Sequence, residues 1–201
     1  GGVVFPLDTM SEVSSFARER GVNIHLDGAR LFNASVASGV PVKEYAELAD
    51  TVSVCFSKGL GAPVGSCLSG SREIMEKAAR VRKILGGGMR QSGILAAAAV
   101  YALENNVKRL AEDHDHAGKL SRGIADLPGF SVATDNVDTN IVIIQITTPG
   151  QGSLEVVGEL EQKGLKIVPF GPRTLRAVTH LDVTESDIDR AIEIFHECYG
   201  S

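Results

Sequence analysis

The stretch "SVCFSKGLGAPVGS", residues 53–66, places a lysine where a mostly apolar, β-rich run stops and a glycine-rich turn begins. Its first half continues "TV" into "TVSVCFSK", which reads as a strand from Thr51 to Lys58. Upstream, "VNIHLD" reads as a second short buried strand, ending at Asp27. Between them "LFNASVAS" and "VKEYAELA" read as short helices. Downstream "SCLSG" reads as a third strand. Helix alternating with strand is the pattern of an α/β parallel sheet.

Ligands of open α/β sheets sit outside the carboxyl ends of the strands. Asp27 ends one strand and Lys58 ends another 31 residues later, an interval sufficient for a crossover between neighbours. An Asp and a Lys at such a site have a joint use. Pyridoxal phosphate is held covalently on a lysine amine, and a carboxylate pairs with its pyridinium nitrogen so that the ring acts as an electron sink. A lysine in that role must react unprotonated, which a partly desolvated, cation-rich pocket favours. The residues alone leave a second reading open, in which Asp27 caps an Asp-Gly turn and Lys58 is a surface charge. "GLGAPVG" is neither a P-loop nor a dinucleotide fingerprint.

The rest of the chain fits a folded α/β protein. "TMSEVSSFARER", residues 9–20, reads as an amphipathic helix with Asp8 or Ser11 as cap and Gly21 as stop. "SREIMEKAARVRKIL" is a helix stopped by Gly86-Gly87-Gly88, and "SGILAAAAVYALENN" an Ala-rich helix suited to close packing on both sides. From about residue 107 the texture changes. A charged helix over 107–127 is followed by the strands "FSVAT" and "NIVIIQIT" and the helix "LEVVGELEQKG". The strands "LKIVPF" and "TLRAVTH" and a final helix from Glu185 to Tyr199 complete a smaller α+β domain.

With 201 residues, 43% hydrophobic and 22% charged, the chain has enough length for a sizeable core. A net charge of −5 argues against a broad nucleic-acid binder. No apolar run reaches the roughly 18 residues of a membrane span. Three cysteines, Cys55, Cys67 and Cys198, lack metal or redox spacing and fit a reduced, cytoplasmic setting. None of the five histidines has metal-ligand spacing. His114 and His116 read as solvated on a charged helix face, His25 and His196 as partly buried, and His180 as a neighbour of Arg176.

Three motifs in order, "HLDGARLFNA", "SVCFSKGLGAPVGS" and "RKILGGGMRQSGILAAAA", together with "RAVTHLDVTESDID", resemble the low-specificity L-threonine aldolases. The likeness runs through nearly the whole chain and weakens between about residues 119 and 173. It implies pyridoxal 5'-phosphate as cofactor and the aspartate-aminotransferase fold (fold type I). Residues 1–118 would be the second part of the large cofactor-binding α/β domain and 119–201 the small carboxyl-terminal α+β domain. It implies cleavage of threonine, allo-threonine and other β-hydroxy-α-amino acids to glycine and an aldehyde. Residue by residue, the resemblance gives Lys58 as the cofactor-bearing amine and Asp27 as the partner of the pyridine nitrogen. Arg30 lies beside cofactor and substrate carboxylate, Arg176 grips that carboxylate, and Ser57 touches the cofactor phosphate or caps its turn. Lys83 and Arg90 resemble residues that reach the site, often across a subunit boundary, which implies a homo-oligomer, dimer or tetramer.

The family's phosphate loop, its ring-stacking histidine and its histidine near the substrate hydroxyl have no counterpart here. The chain is therefore expected to be the carboxyl-terminal portion of an enzyme, with the amino-terminal part as its complement. Two other readings remain: a related fold-type-I β-eliminating lyase, and a non-catalytic fragment that folds only with its complementary chain.

Overall fold

The computed structural model describes residues 1–200. Packing divides them into two compact units, one formed by Phe5–Arg109 and the other by Gly1–Val4 with the chain from Leu110 on.

In the first unit, helix α1 (Leu7–Arg18) starts directly behind Pro6, whose extended φ of −61° and ψ of 133° suit a helix entry. Neither Asp8 nor Ser11 is the cap; Asp8 lies in the first turn, where a carboxylate complements the helix dipole. Gly21, at a φ of +64°, turns the chain away as expected. Strand β1 (His25–Gly28) follows, then α2 (Leu31–Ser38), α3 (Val42–Ala46) and strand β2 (Thr51–Cys55). β1 and β2 pair in parallel, joined across the two helices. Leu31, Tyr45 and Val52 are buried between these layers.

Strand β3 (Ser66–Gly70) completes a sheet of order β1-β2-β3, but it runs antiparallel to β2. The expectation of an all-parallel sheet is therefore corrected at its third strand. The reason is the connection: Cys55 pairs with Ser66, so only residues 56–65 join the strands, and they carry no crossover helix. Helix α4 (Arg72–Ile84) is capped by Ser71, whose hydroxyl accepts from the Ile74 N–H at 3.4 Å. Helix α5 (Gly93–Asn105) ends the unit's regular structure.

The second unit begins with α6 (Leu110–Ile124) and continues through β4 (Phe130–Val132), β5 (Ile141–Ile146), α7 (Ser153–Gln162), β6 (Val168–Gly171), β7 (Thr174–Val178) and α8 (Glu185–Tyr199). Its antiparallel sheet has the order β4-β5-β7-β6. Period-2 alternation sends Val142, Ile144, Ile146, Leu175 and Ala177 to one face, where they bury against Leu120, Ile124, Val156, Leu160, Ile188 and Phe195 of the three helices. Ile143, Gln145, Thr174 and Arg176 take the opposite face. Among the described residues no helix is long and apolar enough to cross a membrane.

Candidate active site

The parallel register sets Asp27 opposite Ser53 and Gly28 opposite Val54, so β1 and β2 present their carboxyl ends at one edge of the sheet. Asp27 is exposed, and its Oδ1 accepts from the Ala29 N–H at 3.2 Å. It therefore does close the Asp-Gly turn. Gly28 is required by crowding: a Cβ there would lie 2.8 Å from the Ser53 carbonyl oxygen and 3.1 Å from the Leu31 Cβ. Arg30 stands immediately before α2 and is half-buried.

β2 ends at Cys55, so Lys58 belongs to the turn beyond the strand rather than to its last position. That loop is pinned from below. The Phe56 N–H donates to the Gly65 carbonyl at 3.0 Å, Gly61 N–H to Lys58 carbonyl at 2.8 Å, and Ala62 N–H to Phe56 carbonyl at 2.9 Å. Leu60 and Ala62 are buried, and the Leu60 carbonyl accepts from Asn106 Nδ2 at 2.8 Å. Above this anchored backbone Ser57 and Lys58 are both exposed, with Ser57 Oγ 3.5 Å from the Gly65 carbonyl. A partly desolvated lysine is not what these residues provide; the open loop has no cover from them. Asn106, which ties α5 to the lysine loop, was missed in sequence: "LENN" signals only a helix end.

Lys83 and Arg90 come together. They line a cleft of about 460 Å³ with Arg82, Gly86, Gly88 and Met89, around the glycine turn that follows α4. Arg82 also escapes notice in sequence, where it reads as one more helix-surface charge. Lys83, in the last turn of α4, is exposed, and its charge also offsets the helix dipole.

Arg176 lies in the second unit, in β7, opposite Ile143 on one side and Val168 on the other. Its Nε is enclosed without a hydrogen-bond partner, and among the described residues it forms no ion pair. The strand end behind it is fixed by Thr179, whose hydroxyl donates to the Asp113 carbonyl at 2.6 Å and whose carbonyl accepts from Asn140 Nδ2 at 2.8 Å.

The histidines reverse their expected environments. His25 and His196 are exposed, held at 2.9 Å to Thr51 Oγ1 and 3.0 Å to the Gly123 carbonyl. His114 and His116 are half-buried, because α6 packs against α8 and β5 over more of its surface than its charges suggest. Burial lowers the His114 pKa, with Asp113 and Asp115 opposing the shift. His180 is exposed, and its Nδ1 accepts from the Asp182 N–H at 3.3 Å.

Comparison with known proteins follows the same lines. The chain is 43% identical over 187 residues to the low specificity L-threonine aldolase of Escherichia coli K12, covering 93% of this chain and 54% of that protein. It is 41% identical over 198 residues to low-specificity L-threonine aldolase 1 of Arabidopsis thaliana, covering 98% and 55%. The chain thus spans about half the length of the curated relatives it matches. In structure it superposes on a Leishmania major threonine aldolase with a TM-score of 0.78 at 20% identity, over 96% of this chain and 57% of that one. Serine palmitoyltransferase of Sphingomonas wittichii follows at a TM-score of 0.71 and 19% identity, over 94% and 50%. These likenesses make the architecture the mixed α/β one of fold type I. The profile described as Beta-eliminating lyase matches residues 1–147, and the chain belongs to that family.

Proposed function

We propose that this chain is part of a pyridoxal phosphate-dependent aldolase that cleaves L-threonine, L-allo-threonine and related β-hydroxy-α-amino acids at Cα–Cβ, giving glycine and an aldehyde. The observation that carries the reading is the parallel β1–β2 pair, whose carboxyl ends lead to Asp27 on one strand and to Ser57-Lys58 on the other. The donor set fits the cofactor: an amine for its aldehyde, a carboxylate for its ring nitrogen and a hydroxyl for its phosphate. When bound, the cofactor would supply a sink for the electron pair released at the substrate Cα.

Each residue then has a defined task. Lys58 would hold the cofactor through its side-chain amine. Asp27 holds the proton on the pyridine nitrogen. Ser57 donates to the phosphate. Arg30 and Arg176 hold the substrate carboxylate through their planar forks, which fixes the bond to be broken relative to the ring. Arg176 is suited to this because among the described residues no carboxylate pairs with it. Lys83 and Arg90 add positive charge for anionic groups, in the cleft they share. In this reading residues 1–118 belong to the large domain and 119–201 to the small one. The remaining length found in the relatives covers the open lysine loop, the assembly is a dimer or tetramer, and the enzyme is cytoplasmic.

The test uses the complete protein, loaded with cofactor and given L-threonine. Stoichiometric glycine and acetaldehyde are expected. Asp27→Asn should keep the cofactor and lose well over the tenfold in rate that about 1.4 kcal/mol represents. Near-normal turnover by Asp27→Asn would remove Asp27 from the site. A second reading, loss of a β-substituent, is favoured by the family description itself. Pyruvate from a β-substituted alanine, with threonine untouched, would establish it instead.

A further inference from the structure

We propose that Phe170 is a positioning residue for Arg176: its ring holds the guanidinium in place while leaving the terminal N–H groups of the fork available to a carboxylate. The inference rests on the reading of Arg176 as the substrate-carboxylate residue.

Backbone register is the first observation. Val168 pairs with Arg176 and Pro169 with Leu175, but Thr174 pairs with Gly171. Phe170 is therefore the extra residue of a β-bulge, and bulges bend a strand and re-aim a side chain. The second is position. The Phe170 ring centroid lies 5.2 Å from Arg176 Cζ, within cation–π range, although the side chain remains 54% exposed. A ring that serves only packing gains little at such exposure. The third is the state of the arginine, which has an enclosed Nε and no hydrogen bond or ion pair among the described residues.

Chemistry joins these observations. An arginine that must capture a small anion needs a restricted rotamer and unused donors. An aspartate or glutamate partner would restrict it, but would neutralise its charge and consume its donors. A backbone carbonyl would consume one. An aromatic face restricts the guanidinium by stacking and accepts none of the in-plane N–H groups, so the edge that matches a carboxylate stays free.

The experiment compares Phe170→Leu, Phe170→Tyr and Arg176→Lys in the complete, cofactor-loaded enzyme. Glycine affinity is read by titration calorimetry, and KM and kcat with L-threonine. Phe170→Leu is expected to weaken glycine binding and raise KM about 2- to 5-fold, the span of one exposed cation–π contact, with kcat changed less than about twofold. Phe170→Tyr, which keeps the ring face, should restore both. Should Phe170→Leu fail to fold, Phe170→Met takes its place under the same criterion. Unchanged glycine affinity in the Leu or Met variant, with Arg176→Lys strongly weakened, overturns the role of Phe170 and leaves the carboxylate reading standing. Unchanged affinity in Arg176→Lys overturns the carboxylate reading, and the role of Phe170 with it.

Discussion

The two units of this chain are of similar length and differ in how completely they bury their own apolar surface. In the unit that starts at α6, every helix buries residues against one sheet face, and Phe195, Ile144, Val156, Leu160 and Leu175 are fully enclosed. In the unit of Phe5–Arg109, α4 buries no residue and α5 buries only Ala102. Ile94 is 85% exposed and Leu85 79% exposed, and all of β3 is exposed. A helix apolar on all sides is normally an interior element. All the residues proposed for the chemistry except Arg176 thus lie on the unit left open, and Arg176 lies on the sheet of the closed one.

The sharpest way to break this comparison is a matched pair of truncations in the 201-residue chain. Phe195→Ala should cost about 3–5 kcal/mol in denaturant unfolding of the later unit. Ile94→Ala, on the open helix, should stay within about 0.5 kcal/mol. Comparable losses from both would mean that α5 is covered within this chain. Next in size is Gly28→Ala, which probes the one tightly packed part of the open unit. A methyl group 2.8 Å from the Ser53 carbonyl must push β1 from β2, at a cost of about 1–3 kcal/mol, and a neutral result would show that the crowding relaxes freely.

Smaller effects come from the helix starts. Thr184 caps α8 in a reciprocal box with Asp187, with an Asp187 N–H contact of 3.3 Å and a Thr184 N–H contact of 2.8 Å. Thr184→Ala should cost about 1 kcal/mol, and Ser71→Ala at α4 less, because that cap is single, long and at the surface. The smallest is the acid response of His114. Burial holds its folded pKa below the usual value, so between that lower pKa and about 6.5 the unfolded chain binds more protons than the folded one. Stability should thus fall as pH drops below about 6.5, and His114→Gln should flatten that part of the melting-temperature profile. An unchanged profile would mean that His114 is protonated equally in both states.

Much of this was legible in sequence for identifiable reasons. The stretches "NIVIIQIT" and "TLRAVTH", read as strands, are β5 and β7, and glycine stops at 21 and 86 ended their helices where expected. The direction of β3 was legible in the shortness of residues 56–65, too few for a parallel crossover, but the helix–strand alternation upstream outweighed it. Lys58 looked strand-terminal because "CFSK" is β-like, yet the chain leaves the ladder at Phe56 to bond Gly65. Local charge also misled at His114 and His116, since tertiary packing decides how much of a helix face meets water. Asn106 and Phe170 act through partners 46 residues away and one strand away, and no spacing rule announces either.

The account turns on Lys58 as the residue that carries the cofactor. Borohydride reduction of the complete, cofactor-loaded protein, followed by peptide mapping, tests this most directly. The account predicts a single pyridoxyl label on Lys58, in the peptide that contains "SKGL". A label on Lys83, or none on either lysine in protein that has demonstrably bound the cofactor, would contradict it.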